Sequence, residues 1–319
     1  MERTTGFSLP LLSDDELEEI HRATLEILEY TGVFIASDEA LEIFESGGAW
    51  VDRETNIVRL PQYVVEDAIR SAPSKLFLAG RDPKNDIVLE GNRVGFTTFG
   101  EGVLVKDIET GELRKPTKQD VCDAARLADA LSEVDVYERA VGAHDVPQEV
   151  GQIHNAEATF NNTSKHVFMG PFDGYQLDKI VEMATLIAGG KEALLKRPLI
   201  TFITCPVSPL KLVQDTCEVI IGAARSGMAV NILSMAMSGG SSPVTLAGTL
   251  VNHNAEVLAG LTLSQLTRKG AKVIYGSSTT AMDLKLASAS VGSPECGMIN
   301  AMVAALSRYY LLPSFVAGG

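Results

Sequence analysis

The sequence predicts an α/β protein: a (β/α)8 TIM barrel, incomplete at about six of eight strand–helix units, behind an N-terminal elaboration of helices and β-hairpins. Three observations carry that expectation. From about residue 117, strand-like apolar segments recur regularly and amphipathic helical segments fill the gaps. This is the alternation of a parallel sheet covered by helices. The strand segments are continuously apolar, as strands buried on both faces must be. No Gly-x-Gly-x-x-Gly follows an early strand, which argues against a doubly wound dinucleotide sheet. The expected division is 1–116 for the elaboration and 117–319 for the partial barrel, whose last two units are expected to be missing.

Taken in order, Ser13 and Glu16 make a Ser-x-x-Glu capping box. Leu17, Ile20, Thr24, Ile27 and Leu28 form an apolar stripe behind it, and Gly32 supplies a stop. Short helices are expected at 38–44 and 63–71, and the β-rich pieces "KLFLAG", "DIVLE", "VGFTTFG" and "VLVKD" predict hairpins or a small sheet. Thr117 and Asp120 open a helix that runs to Leu131. Barrel strands are expected at 134–143, 166–170, 199–204, 230–237, 272–276 and 314–318, the last closed by Gly318 and Gly319. Between the second and third, Leu177, Ile180, Val181, Ala184 and Ile187 share one helical face. Ser208-Pro209, Ser242-Pro243 and Ser293-Pro294 each read as an N-cap followed by proline at the first helical position.

Composition narrows the function. Asp and Glu number 41 against 27 Lys and Arg, a formal charge of -14. Such an acidic chain repels phosphate backbones and anionic lipid, so neither nucleic acid nor membrane is an expected partner. No apolar run reaches the ~18–20 residues that span a bilayer, and no signal peptide is visible at the amino terminus. Cys122, Cys205, Cys217 and Cys296 contain no Cys-x-x-Cys, the usage of reduced thiols in a cytoplasmic protein.

Chemistry in a parallel barrel belongs to the loops after the strands. The loop "SGGSSP" (238–243) reads either as a tight turn or as a nest of backbone N–H groups; without a lysine it is a poor nucleotide loop. The connection 277–295 is long enough to be functional and carries Ser277, Ser278 and Thr279 before Glu295, a carboxylate just inside a helix. His253 and Glu256 share a helix face at i and i+3, as an acid–base pair or metal ligands would, although a packed, hydrogen-bonded helix is the commoner meaning. His21, His144, His154 and His166 have no recognised metal spacing, and no bound metal is expected. Tyr275, Met235 and Met237 are core residues by default, or the lining of a small alkylammonium site.

The stretch "NILSMAMSGGSSPVTLAGTLVNHNAEVLAGLTLSQLTRKGAKVIYGSSTT" (231–280), with "VGSPE" (291–295) and "LPSFVAGG" (312–319), resembles the trimethylamine methyltransferase family. The resemblance continues through "LPQYVVEDAIRSAPSKLFLAGRD" (60–82) and "CPVSPL" (205–210) and so covers nearly the whole chain. It implies a cytoplasmic (β/α)8 barrel that moves a methyl group from trimethylamine to the Co(I) corrinoid of a small partner protein, in methylamine metabolism and methanogenesis. It also implies an in-chain pyrrolysine directly after Gly319, so that the chain is expected to end at an in-frame UAG codon. Such a 319-residue product is expected to be inactive and to expose an unpaired strand edge, whereas the full-length protein is expected to be a homo-oligomer.

The resemblance further implies that the amine adds to the pyrrolysine imine, whose nitrogen gains a proton from a nearby acid. Glu295 or Glu256 is expected in that catalytic role, with Tyr275, Ser278, Ser238, Met235 and His253 as substrate-binding residues. Three alternatives stand beside this reading: a demethylase of glycine betaine or a similar quaternary amine lacking pyrrolysine, an inactive fragment, and, by fold analogy alone, an unrelated barrel lyase.

Overall fold

Ser13 starts the first helix as expected: its hydroxyl accepts from Glu16 N–H at 3.3 Å, and its own N–H donates to the Glu16 carboxylate at 2.8 Å. The computed structural model describes residues 11–317, so Gly318 and Gly319 lie outside the described residues. Helix α1 (Asp14–Glu26) widens into one π turn (Ile27–Thr31) and stops at Gly32, whose φ is 84°. A Cβ there would sit 2.6 Å from the Val58 carbonyl oxygen, so only glycine fits. Then come β1 (Val33–Ile35), α2 (Asp38–Ser46), β2 (Trp50–Asp52), β3 (Ile57–Arg59) and α3 (Gln62–Ser71). The hairpin β4 (Leu76–Leu78) and β5 (Ile87–Leu89) and the short pair β6 (Val105–Lys106) and β7 (Leu113–Arg114) complete the elaboration.

The repeating part runs α4 (Lys118–Ala130), β8 (Val136–Glu138), α5 (Gly151–Asn162), β9 (His166–Met169), α6 (Gly174–Ala188), α7 (Lys191–Lys196) and β10 (Ile200–Thr204). It continues through β11 (Lys211–Leu212), α8 (Gln214–Ser226), β12 (Ala229–Ser234), β13 (Met237–Ser238) and α9 (Leu246–Thr267). It ends with β14 (Val273–Ser277), β15 (Thr280–Asp283), β16 (Ser288–Ala289), α10 (Pro294–Tyr309) and β17 (Ser314–Val316). Six of these strands form one parallel sheet in the order β8-β9-β10-β12-β14-β17, so chain neighbours are sheet neighbours throughout. All six fall inside the segments the apolar pattern predicts, to within a residue or two. Among the described residues, no helix is long and apolar enough to cross a membrane.

The sheet is curled. Phe168 of β9 and Phe315 of β17 stand four strand positions apart, about 19 Å in a flat sheet at ~4.8 Å per step. Two phenylalanine side chains cannot bridge that span, yet their ring centroids are 5.9 Å apart. The strands therefore wrap into a parallel half-barrel with a concave inner face. Alternate residues sort between two cores. Tyr137, Val167, Phe202, Ile232 and Tyr275 face the helices, while Val136, Phe168, Ile203, Leu233 and Ile274 face inward. Leu76, Leu78, Ile87 and Leu89 of the β4–β5 hairpin pack against this inward set.

The outer core is continuous from Leu17 to Leu312. Its centre is α9, which packs on β12 and β14 on one side and on α1, α2 and α3 on the other. That placement explains why α9 is buried along nearly its whole length, and why its sequence lacks one apolar stripe.

Three local expectations are corrected. Ser208-Pro209 opens no helix, because the Ser208 hydroxyl donates to the Glu256 carboxylate and α8 starts only at Gln214. Ser242-Pro243 lies in a turn; Thr245 caps α9, and Ser242 bonds to Thr249 instead. Only Ser293-Pro294 behaves as expected, with Ser293 capping α10. "VGFTTFG" makes isolated bridges rather than a strand: Thr97 pairs with Val136, and Thr98 Oγ1 exchanges hydrogen bonds with the backbone of Glu138.

Candidate active site

In a parallel half-barrel the C-terminal strand ends converge on one face. Here that end of the concave face has an apolar floor of Phe168, Ile203, Leu233, Ile274 and Phe315. One carboxyl stands beside it: Glu138, the last residue of β8, in register with Phe168 of β9. Its neighbour Tyr137 belongs to the helix-side core and Val136 to the inner one, so alternation puts Glu138 on the concave face.

Glu138 is only 8% exposed, and among the described residues no donor bonds its carboxyl. Burial pushes that carboxyl up to about 8, opposed by the neighbouring Arg139 guanidinium and assisted by Glu101. Arg139 is itself buried and pairs with Glu101. The surrounding chain is shaped to the carboxyl: a Cβ on Gly100 would lie 2.9 Å from Glu138 Oε1. Cys205, which follows β10, is pushed up to about 11, first by burial and second by the Glu138 charge. Asn231 of β12 alternates with Ala229 and Leu233 and so faces the same side. It is fully buried, and among the described residues neither polar atom of its side chain has a partner.

The residues singled out from sequence are scattered around this face. Met235 and Ser278 come closest, each directly after the end of a neighbouring sheet strand; Met235 is 49% exposed, and Ser278 N–H donates to Ser234 O at 2.9 Å. Tyr275 lies on the helix side, its hydroxyl donating to Asn254 Oδ1 at 2.7 Å, and burial raises its phenol well above the usual range. His253 sits edge-on to Tyr275 and shares a 2.9 Å hydrogen bond with Thr279 Oγ1, while its Nε2 has no partner among the described residues. Full burial drops its imidazole to about 3. The expected pairing of His253 with Glu256 is replaced by separate partners for each.

Glu256 is wholly enclosed. Its two oxygens accept from Ser234 Oγ at 2.6 Å, Asn252 Nδ2 at 2.8 Å, Ser208 Oγ at 2.9 Å and Leu210 N–H at 3.0 Å. Those four bonds tie the 208–210 loop to α9 and β12 and leave no oxygen facing the concave side. Glu295 is exposed in the first turn of α10.

Ser238 is a loop staple, its hydroxyl donating to Val244 O at 2.8 Å. The 238–243 loop is not an anion nest. Gly239 N–H goes to Ser242 O, while Gly240 and Ser242 N–H both go to Met237 O, so the donors are spent within the turn. Beyond it, β13, β15 and β16 form a small sheet at the mouth that leaves Val244, Leu284 and Leu286 exposed. Sequence reasoning passed over Glu138 because "VDVYERAVGA" reads as one apolar strand. The available signal was a carboxylate at an inward-alternating position of that strand.

A family-wide sequence profile described as "Trimethylamine methyltransferase (MTTB)" matches residues 3–319. The chain is 58% identical over 317 residues to the trimethylamine methyltransferase MttB of Desulfitobacterium hafniense (strain DSM 10664 / DCB-2), covering 99% of this chain and 64% of that protein. Identity to MttB1 of Methanosarcina acetivorans is 46% over 318 residues, with 98% and 64% covered. Identity to the glycine betaine methyltransferase of Desulfitobacterium hafniense (strain Y51) is 33% over 311 residues, with 97% and 64% covered. The chain thus spans about 64% of the length of these relatives. The crystal structure of the Methanosarcina barkeri monomethylamine methyltransferase superposes with a TM-score of 0.57 at 16% identity, covering 94% of this chain and 65% of that one, a likeness of fold alone.

Proposed function

Because the chain belongs to the trimethylamine methyltransferase family, we propose that it serves an enzyme that takes a methyl group from trimethylamine and passes it to the Co(I) corrinoid of a small partner protein. The observation that carries this reading is the 58% identity, over nearly the whole chain, to a protein named for that substrate. The glycine betaine methyltransferase, at 33%, is a more distant relative. In the whole protein the half-barrel closes into a (β/α)8 barrel, with further strands beyond the open edge of β17.

The concave face supports a small alkylammonium substrate on chemical grounds. Aromatic ring faces attract cations, and a nearby carboxyl offsets the charge. The pyrrolysine implied for the whole protein would supply an electrophilic imine. Among the described residues, Glu138, whose carboxyl no donor bonds, and Asn231, whose amide has no partner, are polar groups on this face available to such a site. Val244, ahead of α9, and Leu284 and Leu286, in the turn between β15 and β16, are exposed and offer apolar surface of the kind a partner protein covers.

The test is a substrate comparison. The natural protein containing this chain is mixed with a reduced corrinoid protein, and methyl-cobalt formation is followed by visible absorption. Trimethylamine is expected to drive methylation and glycine betaine to fail. Methylation from glycine betaine alone would overturn the assignment in favour of the quaternary-amine reading.

A further inference from the structure

Among the described residues, two buried glutamates differ in kind. Glu256 is saturated with four donors, as a structural carboxylate should be. Glu138 has none, although a buried carboxylate without donors is costly. Its position is nonetheless firmly held. Thr98 clamps its backbone N–H at 3.0 Å, and Gly100 leaves room for the carboxyl and for nothing larger on that side. It stands beside the ring pair Phe168–Phe315, at the end of the sheet where ligands of this architecture bind.

Resting on the trimethylamine reading, we infer that Glu138 is the residue that receives the substrate as a tertiary alkylammonium ion and takes its proton. Trimethylamine is cationic in neutral water, and its lone pair is blocked until the N–H bond breaks. As the cation enters, Glu138 gives its own proton to water and meets the ammonium as a carboxylate. The N–H bond then breaks, its electron pair stays on nitrogen, and an O–H bond re-forms on Glu138. The products in the site are a neutral amine with a free lone pair and a neutral carboxyl, and with the proton given to water, charge and protons balance. A desolvated carboxyl favours this direction, because both products are uncharged in a dry environment. The titratable and charged groups around Glu138 are Arg139 on its own strand end, Glu101 on the 94–102 segment and Cys205 after β10. The Arg139 charge is committed to Glu101, which leaves Glu138 to meet the incoming cation.

The probe is tetramethylammonium, which has no N–H, so any proton released on binding comes from the protein. Titration calorimetry at pH 7 in buffers of different ionisation enthalpy counts those protons. The natural protein is expected to release close to one proton per cation bound, because Glu138 must ionise to meet the charge. Glu138→Gln is expected to bind about tenfold more weakly or worse, having lost a close opposite charge, and to release none. Gly100→Ala, which keeps the carboxyl but crowds it, is expected to weaken binding while retaining release. Release that persists unchanged in Glu138→Gln, or tight binding with no release in the natural protein, would overturn the inference and leave the trimethylamine reading standing. Failure of the natural protein to bind any alkylammonium would overturn both.

Discussion

Replacing Glu256 by glutamine separates a structural from a catalytic role for one of the two glutamates, Glu295 and Glu256, that the family resemblance puts forward. The carboxylate accepts four hydrogen bonds at 2.6–3.0 Å, two from serine hydroxyls, one from an amide side chain and one from a backbone N–H. A bond to a charged group contributes about 1.5–3 kcal/mol and a neutral one about 0.5–1.5. The serine hydroxyls can reverse and accept from the new amide, so those bonds weaken without vanishing. A loss of roughly 0.5–1 kcal/mol at each of four bonds gives a destabilisation of about 2–4 kcal/mol for Glu256→Gln. Glu256→Ala, which orphans four buried donors, is expected to cost more than most domains can spare. Urea unfolding followed by circular dichroism measures the loss, with methyl transfer measured in parallel below the midpoint. An unchanged unfolding midpoint combined with abolished transfer would refute this reasoning and return Glu256 to the catalytic list.

Three further predictions follow from the same geometry. Burial pushes the Glu138 carboxyl up to about 8, well above the ordinary glutamate range, so at neutral pH the folded state holds a proton that the unfolded chain has lost. Stability from this group is fully present below about pH 4.5 and is lost as pH rises through 8; between about pH 5.5 and 7 the slope is close to its full value of about 1.4 kcal/mol per pH unit, and it should vanish in Glu138→Gln, as urea unfolding across that range would show. Gly276→Ala should destabilise by about 1–3 kcal/mol, because the new methyl would press on Asn231 Oδ1 and lie 2.8 Å from the immovable Ile232 carbonyl oxygen; a neutral thermal melt would contradict this. Glu295→Gln should cost no more than about 1 kcal/mol, the helix-dipole contribution of an exposed first-turn carboxylate, and a loss of methyl transfer far beyond that in a parallel assay would show that Glu295 acts in catalysis.

The parts of this fold that were legible in sequence are those that local chemistry decides. Six largely apolar runs are six sheet strands, because burial on both faces leaves little room for polar alternation. Ser13 and Thr117 cap their helices because their partners, Glu16 and Asp120, lie three residues along. What failed was decided at long range. Ser208 is drawn from capping by a carboxylate 48 residues away. Nothing in "SGGSSP" announces that its N–H groups are consumed within the turn. Glu256 and Tyr275 lie on the helix side of the sheet, which spacing along one helix or strand does not reveal. Glu138 was hidden because one carboxylate in an apolar run reads as noise until its neighbours across the concave face are known.

A crystal structure of the natural protein with trimethylamine bound tests the central claim most directly. The account predicts the amine over the Phe168 and Phe315 rings, with its nitrogen within hydrogen-bonding distance of the Glu138 carboxyl. An amine held on the helix side beside Glu256 and Tyr275, or at the first turn of α10 by Glu295, would contradict it.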